Sequence, residues 1–241
     1  MQIKTEAIVL KTYKYSESAL IAKIYTKEKG LLSFMVHGVR KKKSKYKASL
    51  FQVMQHLNLE VVFKEKANLH NIREISLSDN FTDLHTNIYK STIAQFLGEV
   101  VFKTVREEEP NYELFSFIKN SISVLDKSSD KNIANFHLIF LVGLTRFLGF
   151  YPHNNFRSQN QYFCIETGEF EMIQTSQAYF DNEVSAKFSE IIKSNYSQMH
   201  EISMPSDTRK RMLHGLISFY QMQLPEMGEV KSLGILEVIF G

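Results

Sequence analysis

Six cationic side chains fall within eight positions, Arg40, Lys41, Lys42, Lys43, Lys45 and Lys47, with Tyr46 among them and no acidic residue. Such a run can neutralise several phosphates, which gives an affinity that is independent of base sequence and sensitive to salt. A block of like charge repels itself and becomes ordered only against an anionic partner. The plainer reading is a loop kept soluble by its charge. The complete lack of acids in it, on a strongly positive background, favours nucleic acid. Tyr13, Tyr25, Phe34 and Tyr46 are candidate platforms for base stacking, which contributes ~1–3 kcal/mol per base; Phe34 sits at an inward parity and reads better as core. Lys11, Lys14 and Lys23 extend the positive surface if their strands face the same way.

The background is positive on one side of the chain only. Residues 1–75 carry 15 Lys and Arg against 6 Asp and Glu, a formal +9; the remaining residues sum to −6, leaving the whole at +3. That asymmetry assigns a polyanion to the N-terminal part and a different task to the rest. Catalytic signatures are absent: there is no Gly-rich phosphate loop, no nucleophile elbow and no His-Glu-x-x-His. The eight histidines are scattered, and His137, inside an apolar stretch, reads as core rather than ligand. Asp79 and Asp83 share a face if helical, but read as a solvated helix start. A single cysteine, Cys164, excludes an intramolecular disulfide and a thiolate-only zinc site. No export signal is visible, and no apolar run approaches the ~20 residues of a membrane span. We therefore expect a cytoplasmic protein with no membrane partner, no metal and no cofactor.

The elements that must hold the basic run are strands. Leu32, Phe34 and Val36 alternate with Ser33, Met35 and His37 and lead through Gly38 into it. Ile3–Tyr15 and Ala19–Thr26 precede this strand, and Val53–Phe63 and a weaker Leu69–Leu77 follow. Five strands with short connections in about 75 residues predict a small closed barrel of the oligonucleotide-binding (OB) type. From Leu84 the period becomes helical. Helices are expected around Ile88–Val101 and Leu114–Leu125, and over Ile133–Gly149, where FHLIFLVGLTRFLGF is apolar on nearly all sides and suits the centre of a bundle. Asn132 is its candidate N-cap, and Gly149 with Pro152 its stop. An irregular stretch, a hairpin over Tyr162–Ile173, a helix over Val184–Tyr196, another capped by Ser206 or Asp207, and a short apolar helix in Lys231–Gly241 complete the chain. The fold class is α+β: an OB barrel over 1–78 and an α-helical bundle over 79–241.

A second basic cluster, Arg209, Lys210 and Arg211, opens the penultimate helix, where positive charge opposes the helix dipole at ~0.3–1 kcal/mol per charge. An acidic partner must offset it, either another chain or an intrachain group such as Glu226 or Glu229.

In order and spacing, three motifs resemble the bacterial recombination mediator RecO family: GVRKKKSKYKASLFQ (Gly38–Gln52) as the barrel's basic loop, LTRFLGFYP (Leu144–Pro152) as a helix end, and RKRMLHGLISFY (Arg209–Tyr220) followed by KSLGILEVI (Lys231–Ile239). The resemblance covers nearly the whole chain. It implies a non-enzymatic DNA repair and recombination protein, associated with the nucleoid, that binds single- and double-stranded DNA and anneals complementary strands. With RecR, family members help RecA load onto strands coated by single-strand-binding protein. Many contact that protein's acidic, apolar C-terminal tail through the helical domain; Arg146, Arg209, Lys210 and Arg211 are the candidates here. Many relatives also carry a four-cysteine zinc module after Gly-x-x-Pro. The corresponding region, about 152–173, has Cys164 alone, so packing around Tyr162, Phe163 and Phe170 is expected to hold it instead of zinc. An RNA-binding barrel acting in RNA processing or translation shares the same electrostatics, and nothing beyond the size of the helical part motivates a hydrolase or transferase.

Overall fold

Residues 30–36 alternate strictly between buried and half-buried, as a strand with one face on a core must. A computed structural model describes residues 1–39, 46–105, 109–158, 161–174 and 176–240. Arg40, Lys41, Lys42, Lys43 and Lys45 lie outside the described residues. The strands β1 (Gln2–Lys14), β2 (Leu20–Thr26), β3 (Gly30–Val36), β4 (His56–Val62) and β5 (His70–Leu77) close in the order β1-β2-β3-β5-β4. All pairings are antiparallel except β3 with β5, which meet in parallel at Phe34↔His70 and Met35↔Asn71. This is the OB barrel. Val9, Ala22, Ile24, Leu32, Phe34, Val36, Leu57, Leu59 and Val61 fill its interior. Phe34 is therefore core, as its parity predicts.

One residue in β1 breaks the alternation. Val9 pairs with Ile24 but Lys11 pairs with Lys23, so Leu10 is an extra, bulged residue. Helix α1 (Ile88–Thr104) seats against that bulge: Gly98 lies so close to the Leu10 carbonyl and to Val53 that a Cβ would collide. Asn87 caps α1 by accepting from the amides of Tyr89 and Lys90 at 2.9 and 3.1 Å. Helix α2 (Tyr112–Lys127) brings Phe115 against Tyr25 of β2, ring centroids 6.1 Å apart. Both helices thus belong with the barrel, and the chain divides into compact units Met1–Asp126 and Lys127–Gly241.

Polar groups at the end of α2 lock the strand-to-helix connection. The Asp126 carboxylate accepts from the backbone amides of Thr82, Asp83 and Leu84 at 2.8–3.1 Å. The Lys90 ammonium, 2% exposed, donates to the Asp126 carbonyl (2.7 Å) and to Asp83 (3.1 Å). Asp79 and Asp83 are committed here: Asp79 accepts from His56 Nδ1 at 3.0 Å, and Phe81 meets the His56 ring edge-on.

In the second unit, α3 (Phe136–Leu148) is buried on nearly all sides, as its composition predicts. It starts later than expected, because residues 130–135 form a tighter 3₁₀ turn. Asn132 is not its cap; Asn135 precedes the helix instead, and its side chain donates to the carbonyls of Met199 and Ile202. Gly149 ends the helix at φ +84°, a left-handed conformation that favours glycine. The hairpin is β6 (Tyr162–Cys164) with β7 (Glu169–Glu171). Helices α4 (Asn182–Lys193), α5 (Ser206–Gln223) and α6 (Leu233–Phe240) follow. Asp181 caps α4, whereas α5 begins at Pro205 without a side-chain cap from Ser206 or Asp207. Phe163 on the hairpin is completely buried among Phe170, Phe180, Phe188 and Phe219, with ring centroids 4.6–5.7 Å away. Asn155 ties the preceding irregular stretch to Phe170 through both its donor and its acceptor.

Two measurements check these assignments. Asp126→Ala removes the acceptor of three backbone amides while leaving the carbonyl that Lys90 uses, and is expected to lower the unfolding free energy by roughly 3 kcal/mol in a urea titration. Burial holds His56 down to about 4, against the opposing pull of Asp79, and its Nε2 has no acceptor if it gains a proton. A depressed histidine favours the folded state only while neutral. Stability is therefore expected to be complete above about pH 6.5, its unfolded value, and to fall as pH drops toward 4. His56→Gln should flatten that part of the stability profile.

Candidate nucleic-acid interface

Closing the barrel forces every side chain that meets solvent onto the outer parity, and the register then decides which of them are neighbours. Lys11 of β1 stands directly opposite Lys23 of β2, and Lys23 directly opposite Ser33 of β3. One step along, Tyr13, Ile21, Met35 and Asn71 form a parallel row over four strands. The next outward row in the other direction, Ile8, Tyr25 and Leu31, has its centre covered by α2, and Tyr25 is only 1% exposed. The outer face is thus half covered. The open half holds Lys11 and Lys23 and runs along β3 to Gly38, where the basic run begins.

Two like charges directly across a strand pair destabilise a sheet. Neither lysine has a carboxylate partner among the described residues. Lys23 Nζ donates to Ser33 Oγ at 2.6 Å, and Lys11 Nζ lies 5.3 and 5.2 Å from the ring centroids of Tyr13 and Phe102 of α1. Four cations elsewhere on this unit are matched. Lys27 and Lys119 both bond Glu6, and Arg73 and Lys4 approach Glu60 at 3.4 and 4.0 Å. Lys4, Lys27, Glu6 and Glu60 line a cavity of about 460 Å³ whose walls add Glu28 and Glu74, so carboxylates outnumber cations there and the surface repels a polyanion. The Lys11–Lys23 row carries no such compensation among the described residues.

The other expected site residues fall into two groups. Lys14 pairs with Leu20, whose side chain points inward, so it stands off the Lys11–Lys23 row at the barrel's mouth. Lys47 is exposed, and Tyr46 packs on the barrel core with its hydroxyl donating to the Arg73 carbonyl at 2.7 Å. Tyr25 and Phe34 are buried and offer no stacking face; Tyr13, 41% exposed, does. In the second unit, Arg211 bonds Asp181, Glu183 and Asp207 together, Lys210 meets Glu237 at 3.5 Å, and half-buried Arg209 bonds Asn135 and the Met204 carbonyl. The charge opposing the α5 dipole is offset by these groups. Arg146 donates to the Tyr151 hydroxyl at 2.8 Å and stacks on its ring. Among the described residues no cluster of His, Cys, Asp and Glu is arranged to hold a metal ion.

Residues 1–81 match the family described as Recombination protein O N terminal, and residues 85–233 match Recombination protein O C terminal. The chain belongs to the RecO family. It is 36% identical to the DNA repair protein RecO of Flavobacterium johnsoniae, with all of both chains covered. Identity is 34% to that of Phocaeicola vulgatus and 33% to that of Bacteroides fragilis, with 98% of each chain covered. This RecO-family DNA repair and recombination protein carries its OB barrel at the matched N-terminal region. No described helix is long and apolar enough to cross a membrane.

Sequence reading named Lys11 and Lys23 but missed Ser33, Met35 and Phe102. Only the register, offset by the Leu10 bulge, makes them neighbours. Lys23→Thr removes one member of the like-charge pair. It is expected to raise the unfolding free energy by about 0.2–1 kcal/mol while weakening binding to a single-stranded oligonucleotide and lowering the slope of log affinity against log salt by about one. Urea titration and fluorescence anisotropy at several salt concentrations read the two opposite changes.

Proposed function

We propose that this RecO-family protein is a non-catalytic mediator that binds single- and double-stranded DNA through its barrel. It anneals complementary strands and, with RecR, helps RecA load onto strands coated by single-strand-binding protein. The observation that carries the DNA reading is the unmatched Lys11–Lys23 pair on the open half of the barrel, next to the strand that leads into Arg40–Lys47. A fold keeps an unfavourable like-charge pair at low cost when a phosphate backbone neutralises it. Annealing follows from the same electrostatics: lysines that offset the charge on one strand reduce the repulsion that a second strand meets. No covalent bond is made or broken in these steps, so the protein acts by binding alone, in the cytoplasm and on the nucleoid.

Contact with the acidic, apolar tail of single-strand-binding protein is supported by the second unit. A narrow cleft lined by Leu213, Leu236 and Phe240 has Arg209 at its edge, which suits an apolar peptide ending in a carboxylate, while Lys210 there is already paired with Glu237. Arg146 offers a further exposed guanidinium, whereas Arg211 is already held by three carboxylates.

Replacing Arg40, Lys41, Lys42 and Lys43 together by Ala tests the reading. DNA affinity is expected to fall, with the salt slope reduced by up to about 0.7–0.9 for each phosphate that the protein no longer neutralises, and thermal unfolding unchanged. An unchanged slope removes this run from the interface. Strict preference for RNA over DNA of equal length would end the repair reading.

A further inference from the structure

Beside the Lys11–Lys23 row the barrel has a second cavity, of about 280 Å³, close to the lower end of the roughly 300–1,000 Å³ typical of small-molecule sites. Its walls come from β2, β3, the turn between them and the β4–β5 connection. Of these, β2, β3 and the β4–β5 connection belong to the surface with which OB barrels generally meet an oligonucleotide. Lys23 and Ser33 form one wall, so the cavity is continuous with the cationic row. Phe63 and His70 form the other. Their rings are stacked, centroids 5.1 Å apart and planes 16° from parallel, and His70 in turn leans on buried Phe34. The Phe63 amide bonds the Met1 carbonyl at 2.8 Å, which fixes the start of the connection. One ring face is thereby held in place. The Lys29 ammonium lies over the Phe63 ring, 5.0 Å from its centroid.

We infer that this cavity takes one unpaired nucleobase of a single strand, stacked on Phe63, with its flanking phosphates on Lys23 and the displaced Lys29. The inference rests on the DNA reading above and adds a preference between strand types. A cation over a half-exposed ring is a weaker partner than a base, and Lys29 has no carboxylate among the described residues to hold it back. Leaving the ring for a phosphate lets both interactions form at once. Glu65, the carboxylate on the wall, repels phosphate, which directs the backbone to the Lys23 side. A base within a duplex is stacked and paired and cannot enter. The lysine row and the basic run therefore serve both strand types, while this cavity serves only the single strand.

Fluorescence anisotropy of the full chain with three labelled probes of equal length tests this: oligo-dT, the same backbone with abasic sites throughout, and a blunt duplex. Oligo-dT is expected to bind about tenfold more tightly than the abasic strand. Phe63→Leu, which keeps the apolar contact without the ring, should remove that difference and leave duplex affinity unchanged. Equal affinity of the unaltered protein for oligo-dT and the abasic strand overturns the base site, and needs no variant to fold. A Phe63→Leu protein that loses duplex and single-strand binding equally overturns it as well. Failure of all three probes to bind would instead overturn the DNA reading beneath it.

Discussion

Alternation in a closed barrel is the constraint from which the rest follows. Once Ala22, Ile24, Leu32, Phe34 and Val36 fill the interior, the residues between them must point out, whatever their charge. The helices then decide what the exterior does. Helix α2 caps the Tyr25 row, and α1 takes the Leu10 bulge; what is left uncovered is the stretch with two facing lysines. Charge is sorted in the same way. Glu6 and Glu60 absorb the lysines and the arginine near the 460 Å³ cavity, and no carboxylate among the described residues absorbs Lys11 and Lys23. An uncompensated cationic row is what remains on the half of the barrel that the helices leave open.

Much of this could be read from the chain alone. The alternation at Leu32–Val36, the five strands, the change to helical period after Leu84 and the all-round apolar stretch at Phe136–Leu148 are local patterns, and local patterns determine local structure. What escaped was long-range. That Tyr25 is covered depends on Phe115, ninety residues later; its outward parity alone made it a stacking candidate. Arg211 finds Asp181 and Glu183 across an α4–α5 contact, not Glu226 or Glu229 nearby in sequence. Phe63 and His70 carry no charge signature at all, and only the parallel closure of β3 with β5 brings them beside Lys23. Asn132 looked like a helix cap because capping residues say where a turn can start, not which kind of turn it will be.

The hairpin region is held by aromatic packing. Phe163 contacts four other phenylalanines from β7, α4, α5 and the segment before α4, and Asn155 fastens the irregular chain ahead of it. Small hairpins rarely stand alone in water. This one is stabilised because its central ring is part of the core of the second unit.

The glycine at the α1–bulge contact has a mechanical consequence. With no methyl between them, the helix backbone rests on the strand at Gly98, and Phe102 one turn later reaches the side chain of Lys11. The helix and the cationic strand have little freedom to slide past one another. Any force on the Lys11 strand is therefore borne by a seventeen-residue rod rather than by a loose edge.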